Sequence, residues 1–390
     1  MTYAGERIIY DADSHLMELP NFLSLHADEK TKKLLPDLGA ALTGTYDPSQ
    51  FDGGDRHTEQ YANELAALGE NLTRGPKWHA ALGAFHGGER GRALDLLGFK
   101  RQIIFSSFCA RIILGSESDD LAYGAASAHN RSMSDFCSGD PRLMGVAMVP
   151  LQNPERAGAE IEASIDLGLK AVWIGADAPG GRSPGHPAHD AIWARLQEAE
   201  IPFILHVGSS EIGIADEWLN DGKPNAISAR GGAEVIGSKD LTVIHHESHK
   251  FLSTLILDGV LETYPRLKGG IIEIGAGWVP DMLRRLDHAV AIWSKSEPQL
   301  AEFRRTPSEQ AQAQLRFTPY PFEDVTQLVS ESSPELYMFS SDYPHAEGGR
   351  DPIGRFTSTT ESLSSEDQHR FFAQNFLDLY SLDYSLDATA

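Results

Sequence analysis

Short apolar runs recur along the whole chain and alternate with longer segments of helical periodicity. A run that is apolar at consecutive positions is typical of a parallel strand buried on both faces. Stretches such as Pro154–Leu167 and Ala188–Glu200 have the spacing of amphipathic helices. The predicted strands are Arg7–Ala12, Gln102–Ser106, Leu143–Val149, Lys170–Ile174, Pro202–His206, Gly270–Ile274, Leu315–Thr318 and Glu335–Ser340.

This alternation predicts an α/β fold with a parallel sheet, and eight units predict a closed (β/α)8 barrel, the TIM barrel. A doubly wound open sheet is the alternative, which is disfavoured because no G-x-G-x-x-G turn follows the first strand. We predict one domain over residues 1–383, with a short tail at 384–390. Insertions at about 18–100 and 208–268 are expected to lie over the C-terminal mouth of the barrel, where they shape the substrate cavity.

Composition narrows the class of protein. Of the 390 residues, 41% are hydrophobic, which is enough for a large core. The formal net charge of −23 makes nucleic acid an unsuitable partner, since a phosphate-binding surface needs clustered Lys and Arg. Cys109 and Cys137 are too few for a disulfide framework, which favours the reducing cytoplasm. Neither a signal peptide nor a membrane span is expected.

Polar residues stand at the ends of three predicted strands, where an apolar core has no use for them. Asp13 and His15 occur in YDADSHLME, His206 ends IPFILH, and Asp342 ends LYMFSSD. Asp13 and His15 are two positions apart, so on an extended strand both side chains face the same side. Any one of these residues alone is more often a core or loop residue, but together they predict a metal site. Their donors suit Zn²⁺, or alternatively Mn²⁺, with open positions for substrate.

The chain also resembles a known family. The segments that carry the resemblance are YDADSH, IPFILHVG, GVLETYPRLKGGIIEIGAGWVPDMLRRLD, FSSDYPH and QNFLDLY. They are similar to the amidohydrolase superfamily, in the branch of aminocarboxymuconate semialdehyde decarboxylase, the resorcylate-type decarboxylases and related hydrolases. The resemblance implies that Asp13 is the acidic variant of the first residue in H-x-H, and that His206 and Asp342 are the ligands of strands five and eight. It implies one metal ion, and it is compatible with a homodimer.

One position departs from that family pattern. Many members have a histidine at the end of strand six that serves as acid or base, and this chain has Glu273 there, between apolar residues. A buried carboxylate can transfer protons, so Glu273 is a predicted catalytic residue. It could instead be a further metal ligand, or orient a neighbouring group.

Further candidates lie around the predicted mouth. The segment IHHESHK contains His245, His246 and His249, which could supply the missing imidazole; His249 is preferred because it leads into a helix, with His246 as the next choice. Arg111 is predicted to bind a substrate carboxylate in a bidentate manner. His345 follows Asp342 closely and is predicted to line the substrate site, unless it only fixes the loop.

Three functions remain open on these observations. The resemblance favours non-oxidative decarboxylation of a small aromatic or unsaturated carboxylate. The alternative is a metal-dependent hydrolase that activates water against an amide, a lactone or a related bond, which Glu273 favours. The third is a barrel that binds a small molecule without catalysis, although such a protein has little use for an open metal site.

Overall fold

The computed structural model describes residues 1–38, 51–52, 54–210, 213–223 and 236–383. Its strands are β1 Tyr10–Leu16, β2 Phe51–Asp52, β3 Arg56–His57, β4 Arg101–Ser106, β5 Leu143–Met148, β6 Ala171–Trp173, β7 Phe203–His206, β8 Gly269–Ile272 and β9 Leu315–Phe317. Strands β2 and β3 form a small antiparallel hairpin. The other strands form one parallel sheet in the order β1-β4-β5-β6-β7-β8-β9.

The segment that follows β9 closes this sheet into a barrel. Tyr337 pairs in parallel with Phe317 of β9, and Tyr343 pairs in parallel with Ser14 of β1. Between these bridges the Ala12 amide donates to the Phe339 carbonyl at 3.1 Å. The segment 337–343 therefore occupies the place of an eighth strand, and the predicted (β/α)8 barrel is confirmed.

Helices follow the barrel strands on the outside. Their bounds are α1 Glu29–Lys32, α2 Glu59–Ala66, α3 Gly87–Leu97, α4 Ala110–Ile113, α5 Asp119–Cys137, α6 Pro154–Asp166, α7 Asp190–Ala199, α8 Asp216–Leu219, α9 Ser238–Leu241, α10 His246–Leu257, α11 Val260–Thr263, α12 Val279–Trp293, α13 Pro307–Gln314, α14 Val325–Glu331, α15 Pro352–Thr360, α16 Ser365–His369 and α17 Asn375–Leu379.

Local sequence explains where these helices start. Asn153 caps α6 by accepting the Arg156 amide, and Pro154 occupies the first helical position, where no amide hydrogen is needed. The apolar faces of the helices then pack on the strands, whose side chains are buried on both sides of the sheet.

Two strand predictions were wrong in detail. The first strand begins at Tyr10, three residues after the predicted start at Arg7, and runs to Leu16, so that Asp13 and His15 lie inside the strand. Its polar residues are buried by contacts with one another and with β4, which an apolar-run criterion does not detect. The predicted strand Glu335–Ser340 overlaps a helical turn, Pro334–Leu336, and pairs through one isolated bridge, at Tyr337.

The first predicted insertion returns to the mouth of the barrel. The Trp78 amide donates to the Pro344 carbonyl at 3.0 Å, and the Met17 amide donates to the Ala84 carbonyl at 2.7 Å. Residues 211–212 and 224–235 of the second insertion, and the predicted tail 384–390, lie outside the described residues. Among the residues that the structure describes, no helix has both the length and the apolar character needed to cross a membrane.

Candidate metal centre

Four side chains converge at the C-terminal ends of the barrel strands. Oδ1 of Asp13 lies 3.3 Å from Nε2 of His15 and 3.4 Å from Nε2 of His206. Oε2 of Glu273, just after β8, lies 3.4 Å from Nε2 of His206 and 3.9 Å from Nε2 of His15. One donor atom from each residue lies within 4.8 Å of the other three. The mixture of two imidazoles and two carboxylates is suited to a divalent ion.

The outer nitrogens of both rings face backbone carbonyls. Nδ1 of His15 is 3.3 Å from the Ser106 carbonyl, and Nδ1 of His206 is 2.9 Å from the Val207 carbonyl. A carbonyl only accepts, so each Nδ1 carries a hydrogen and Nε2 of each ring faces the centre. Nε2 of His15 is buried and makes no hydrogen bond to any described residue. Two imidazole nitrogens and two carboxylates that converge at such distances, one of the nitrogens without a hydrogen-bond partner, fit a bound cation.

The electrostatics keep these groups in the form that binds metal. Burial, and then the proximity of His345, lower the pKa of His15 to about 3, so its ring is neutral at physiological pH. Burial acts to raise the pKa of Asp13, but the facing rings of His15 and His206 outweigh it and hold that pKa below its ordinary value. A neutral imidazole and an ionised carboxylate are the states that metal coordination requires.

Asp342 approaches the centre from another side. Its Oδ1 lies 3.6 Å from Nε2 of His15 and 3.0 Å from Nδ1 of His345. These three residues form a second group of converging donors, which shares only His15 with the first. The structure thus brings Glu273, rather than Asp342, together with Asp13 and His206. The predicted role of Glu273 as proton carrier and that of Asp342 as metal ligand both depend on which of the two lies in the cluster.

The backbone at the two carboxylates is strained. Glu273 has φ 56° and Asp342 has φ 53°, and Trp78, whose ring centroid lies 4.8 Å from that of His345, has φ 57°. Left-handed backbone is uncommon outside glycine and costs about 1–3 kcal/mol at such sites. The fold holds these residues in place by other contacts, as is typical of functional sites.

A buried network beneath the centre supports it. The carboxylate of Asp11 accepts hydrogen bonds from the Ser341 amide at 2.8 Å, the Ser341 hydroxyl at 2.6 Å and Nε2 of Gln102 at 2.7 Å. Burial outweighs these bonds and raises the pKa of Asp11 to about 7. Arg90, which is fully buried, donates to the carbonyls of His15 and Gly83. The sequence analysis did not identify Asp11 or Arg90, although Asp11 belongs to the same YDADSH segment as two predicted ligands.

The remaining predicted residues lie elsewhere. Exposed His246 and half-buried His249 line a surface cavity of about 560 Å³ on α10. The rings of His245 and His249 stack on Trp278, with centroids 5.4 and 5.5 Å away. Among the described residues, no hydrogen bond, ion pair or ring contact joins these histidines to the four-donor cluster.

Arg111 is exposed on α4, directly after the segment that follows β4. Because α4 begins four residues after the C-terminal end of β4, Arg111 lies on the same side of the barrel as the cluster. Half-buried Lys77 was missed by the sequence analysis; it donates to the Gly349 carbonyl at 2.8 Å, and burial lowers its pKa although Asp342 acts in the opposite direction.

A family model described as amidohydrolase matches residues 106–382, and the chain therefore belongs to the amidohydrolase family. The match begins after β1, so the assignment is independent of Asp13 and His15. Gamma-resorcylate decarboxylase from Rhodococcus jostii is 26% identical over 227 residues, which cover 55% of this chain and 64% of that protein. The chain thus aligns with less than two thirds of the length of this curated relative.

Solved structures support the fold over nearly the whole chain. An amidohydrolase from Mycobacterium avium subsp. paratuberculosis K-10 has a TM-score of 0.69 at 22% identity, covering 96% of this chain and 99% of that one. Dihydroxybenzoic acid decarboxylase from Polaromonas sp. JS666, with bound manganese and the inhibitor 2-nitroresorcinol, has a TM-score of 0.61 at 17% identity, covering 98% and 99%.

Proposed function

We propose that this protein is a metal-dependent decarboxylase that removes CO₂, without oxidation, from a small aromatic or unsaturated carboxylate. The observation that carries the proposal is the division of groups at the mouth. Asp13, His15, His206 and Glu273 form a set of cation-binding donors, while Asp342 lies outside that set but within 3.6 Å of it. Such a site has donors that can bind a metal ion and a separate carboxyl group that can carry a proton. The similarity to gamma-resorcylate decarboxylase supports the choice of reaction.

We assign the metal to the four-donor cluster, with Zn²⁺ as the ion and Mn²⁺, which the Polaromonas enzyme contains, as the alternative. Held by Asp13, His15, His206 and Glu273, a divalent ion would supply Lewis acidity to an anionic substrate. This assignment exchanges two roles predicted from the sequence, because Glu273 becomes a ligand and Asp342 becomes the proton carrier.

The chain's own residues then perform the proton chemistry. When the carbon–carboxylate bond breaks, CO₂ departs and the bonding electrons remain on the substrate carbon, which takes a proton from the Asp342 carboxyl group. The balance is R–COO⁻ + H⁺ → R–H + CO₂, in which the H⁺ consumed is the solvent proton that reprotonates Asp342. Arg111, at the mouth, is proposed to orient the anionic substrate.

The cellular setting is proposed on coarser grounds. We propose a cytoplasmic location because both cysteines, Cys109 and Cys137, are free thiols. A homodimer is the proposed assembly, and residues 1–383 are proposed to form a single domain.

The experiment is to load the protein with Zn²⁺ or Mn²⁺ and incubate it with a panel of hydroxybenzoates while CO₂ is measured. We expect release from at least one substrate, and none from the His206→Ala variant. A parallel panel of lactones and amides tests hydrolysis, in which Glu273 would act as the base that activates water instead of as a metal ligand. Turnover confined to that second panel contradicts the decarboxylase proposal. A protein that takes up no metal contradicts both enzymatic functions.

A further inference from the structure

A buried carboxylate organises the segment that follows β4. Glu18 has no exposed surface, and its carboxylate accepts the backbone amides of Ser107 at 3.1 Å, Phe108 at 2.9 Å and Cys109 at 3.2 Å. The Ser106 hydroxyl also donates to it. Successive amides that converge on one anion form a strong and directional site. The backbone of residues 107–109 is therefore fixed relative to β1, which ends two residues before Glu18.

The hydroxyl of Ser107 connects this fixed segment to the metal centre. It donates to the Leu16 carbonyl at 2.8 Å, and its oxygen lies 2.8 Å from Nε2 of His345. A hydroxyl has a single hydrogen, and a carbonyl can only accept. With that hydrogen on Leu16, the Ser107 oxygen accepts from Nε2–H of His345. The bond defines which edge of the His345 ring faces Ser107.

The opposite edge of the same ring faces Asp342. Nδ1 of His345 lies 3.0 Å from Oδ1 of Asp342, and the His345 amide donates to the Asp342 carbonyl at 2.8 Å. The ring is fully buried and stacks on the ring of His15 with centroids 3.9 Å apart. A rotation of the His345 ring would therefore change the surroundings of Asp342 and of His15 together.

We propose that Ser107 is a positioning residue that acts through His345: held in place by Glu18, it fixes the His345 ring and, by that ring, the carboxylate of Asp342. The effect on turnover rests on the proposed function, in which Asp342 carries the proton. The effect of Ser107 on the orientation of the His345 ring is independent of that function. Ser107 itself contacts neither a metal ligand nor, in this proposal, the substrate.

The test compares three variants of the full chain. Ser107→Ala removes the hydroxyl, and Ser107→Thr retains it. Ser132→Ala is the matched control, because the Ser132 hydroxyl also donates to a backbone carbonyl, that of Phe22 at 2.7 Å, and no histidine is its partner. The readout is the ¹⁵N spectrum of histidine side chains in the Zn²⁺-loaded protein, with the His345 resonances assigned from His345→Gln. Nitrogen shifts report which ring nitrogen carries the hydrogen.

We expect Ser107→Ala to shift the His345 nitrogens, Ser107→Thr to restore them and Ser132→Ala to leave them unchanged. With a substrate found in the hydroxybenzoate panel, kcat of Ser107→Ala should fall about 10- to 100-fold while KM stays within about threefold. Unchanged His345 shifts in Ser107→Ala, or equal changes in Ser132→Ala, would overturn the proposal. If no panel member is turned over, the decarboxylase proposal fails but the spectra still decide the role of Ser107.

Discussion

The imidazole rings of His15 and His345 are stacked, with centroids 3.9 Å apart and planes inclined by 21°. One ring belongs to the four-donor cluster and the other contacts Asp342. Two imidazolium ions could not be buried at this distance without a large electrostatic cost. The stack therefore couples the protonation state of His15, a proposed metal ligand, to that of His345, which lies beside the proposed proton carrier Asp342.

Replacing His206 by Ala should remove the metal. The ring supplies Nε2 to the cluster, 3.4 Å from both Asp13 and Glu273. Alanine removes this nitrogen, so one of the four proposed ligands is lost. We expect metal affinity to fall at least about 100-fold, measured by competition with a chelating dye. His189→Ala is the control, because His189 is equally buried, its Nδ1 faces the Ser183 carbonyl, and it is not one of the four converging donors. Equal losses of metal in both variants would show a general effect of unfolding.

Glu273→Gln and Asp342→Asn should separate metal binding from proton transfer. Glu273→Gln replaces a donor of the four-residue cluster, so metal affinity should fall about tenfold or more. Asp342→Asn should retain the metal and lose about 10²- to 10⁴-fold in kcat, which is the range for a general acid. Metal content and single-turnover CO₂ release measure the two effects. The reverse outcome, with metal lost only in Asp342→Asn, would restore the roles predicted from the sequence.

Arg111→Ala should weaken substrate binding without changing the chemical step. The side chain is exposed at the mouth, and the substrate keeps its negative charge until the carbon is protonated, so the proposed attraction exists in both the ground state and the transition state of C–C cleavage. We expect KM to rise about tenfold with kcat nearly constant, and Arg111→Lys to lie between, because an ammonium cannot make the bidentate contact. A fall in kcat at constant KM would instead place Arg111 in the chemical step.

Asp11→Asn should change how stability depends on pH. The pKa of Asp11 is about 7 in the folded protein and 3.8 in the unfolded reference. A raised carboxyl pKa contributes stability below pH 3.8 that is lost as the pH rises through 7. The asparagine variant does not titrate at this position. The free energy of unfolding of the native protein relative to the variant should therefore fall as the pH rises towards 7, by about 1.4 kcal/mol per pH unit.

Urea unfolding between pH 5 and 8, with a chelator present, measures this difference. The chelator excludes metal release as a second source of pH dependence. His15 contributes in the opposite direction in both proteins, since its pKa of about 3 is lower than the ordinary 6.5 and its contribution is lost on acidification. The comparison cancels that common effect. A constant gap between the two proteins would contradict the raised pKa of Asp11.

The sequence was sufficient to predict the barrel and most of its strands, because buried parallel strands are continuous apolar runs. The predicted run Gln102–Ser106, for example, differs from β4 by one residue at its start. The first strand was predicted less well because Asp13, Ser14 and His15 interrupt the apolar pattern after Ala12. These residues are buried by polar contacts that only the folded chain provides.

The cluster of Asp13, His15 and His206 could also be predicted, since strand ends of a barrel converge at one mouth. It could not be predicted that Glu273, rather than Asp342, joins this cluster. That outcome depends on the side-chain directions of two residues whose own backbone is left-handed. The link from Glu18 through Ser107 to His345 joins three separate parts of the chain. No spacing rule relates positions 89 and 238 residues apart, so only the tertiary structure reveals it.

The closing segment of the barrel also has a consequence for folding. The amide of Asp342 donates to the carbonyl of Asp13 at 2.9 Å, and this bond lies where the last strand position meets the first. Asp13 and His15 come from β1, at one edge of the sheet, whereas His206 and Glu273 come from the ends of β7 and β8, near the other edge. A chain whose two edges have not joined keeps these donors apart, so uptake of the proposed metal during refolding would report closure of the barrel.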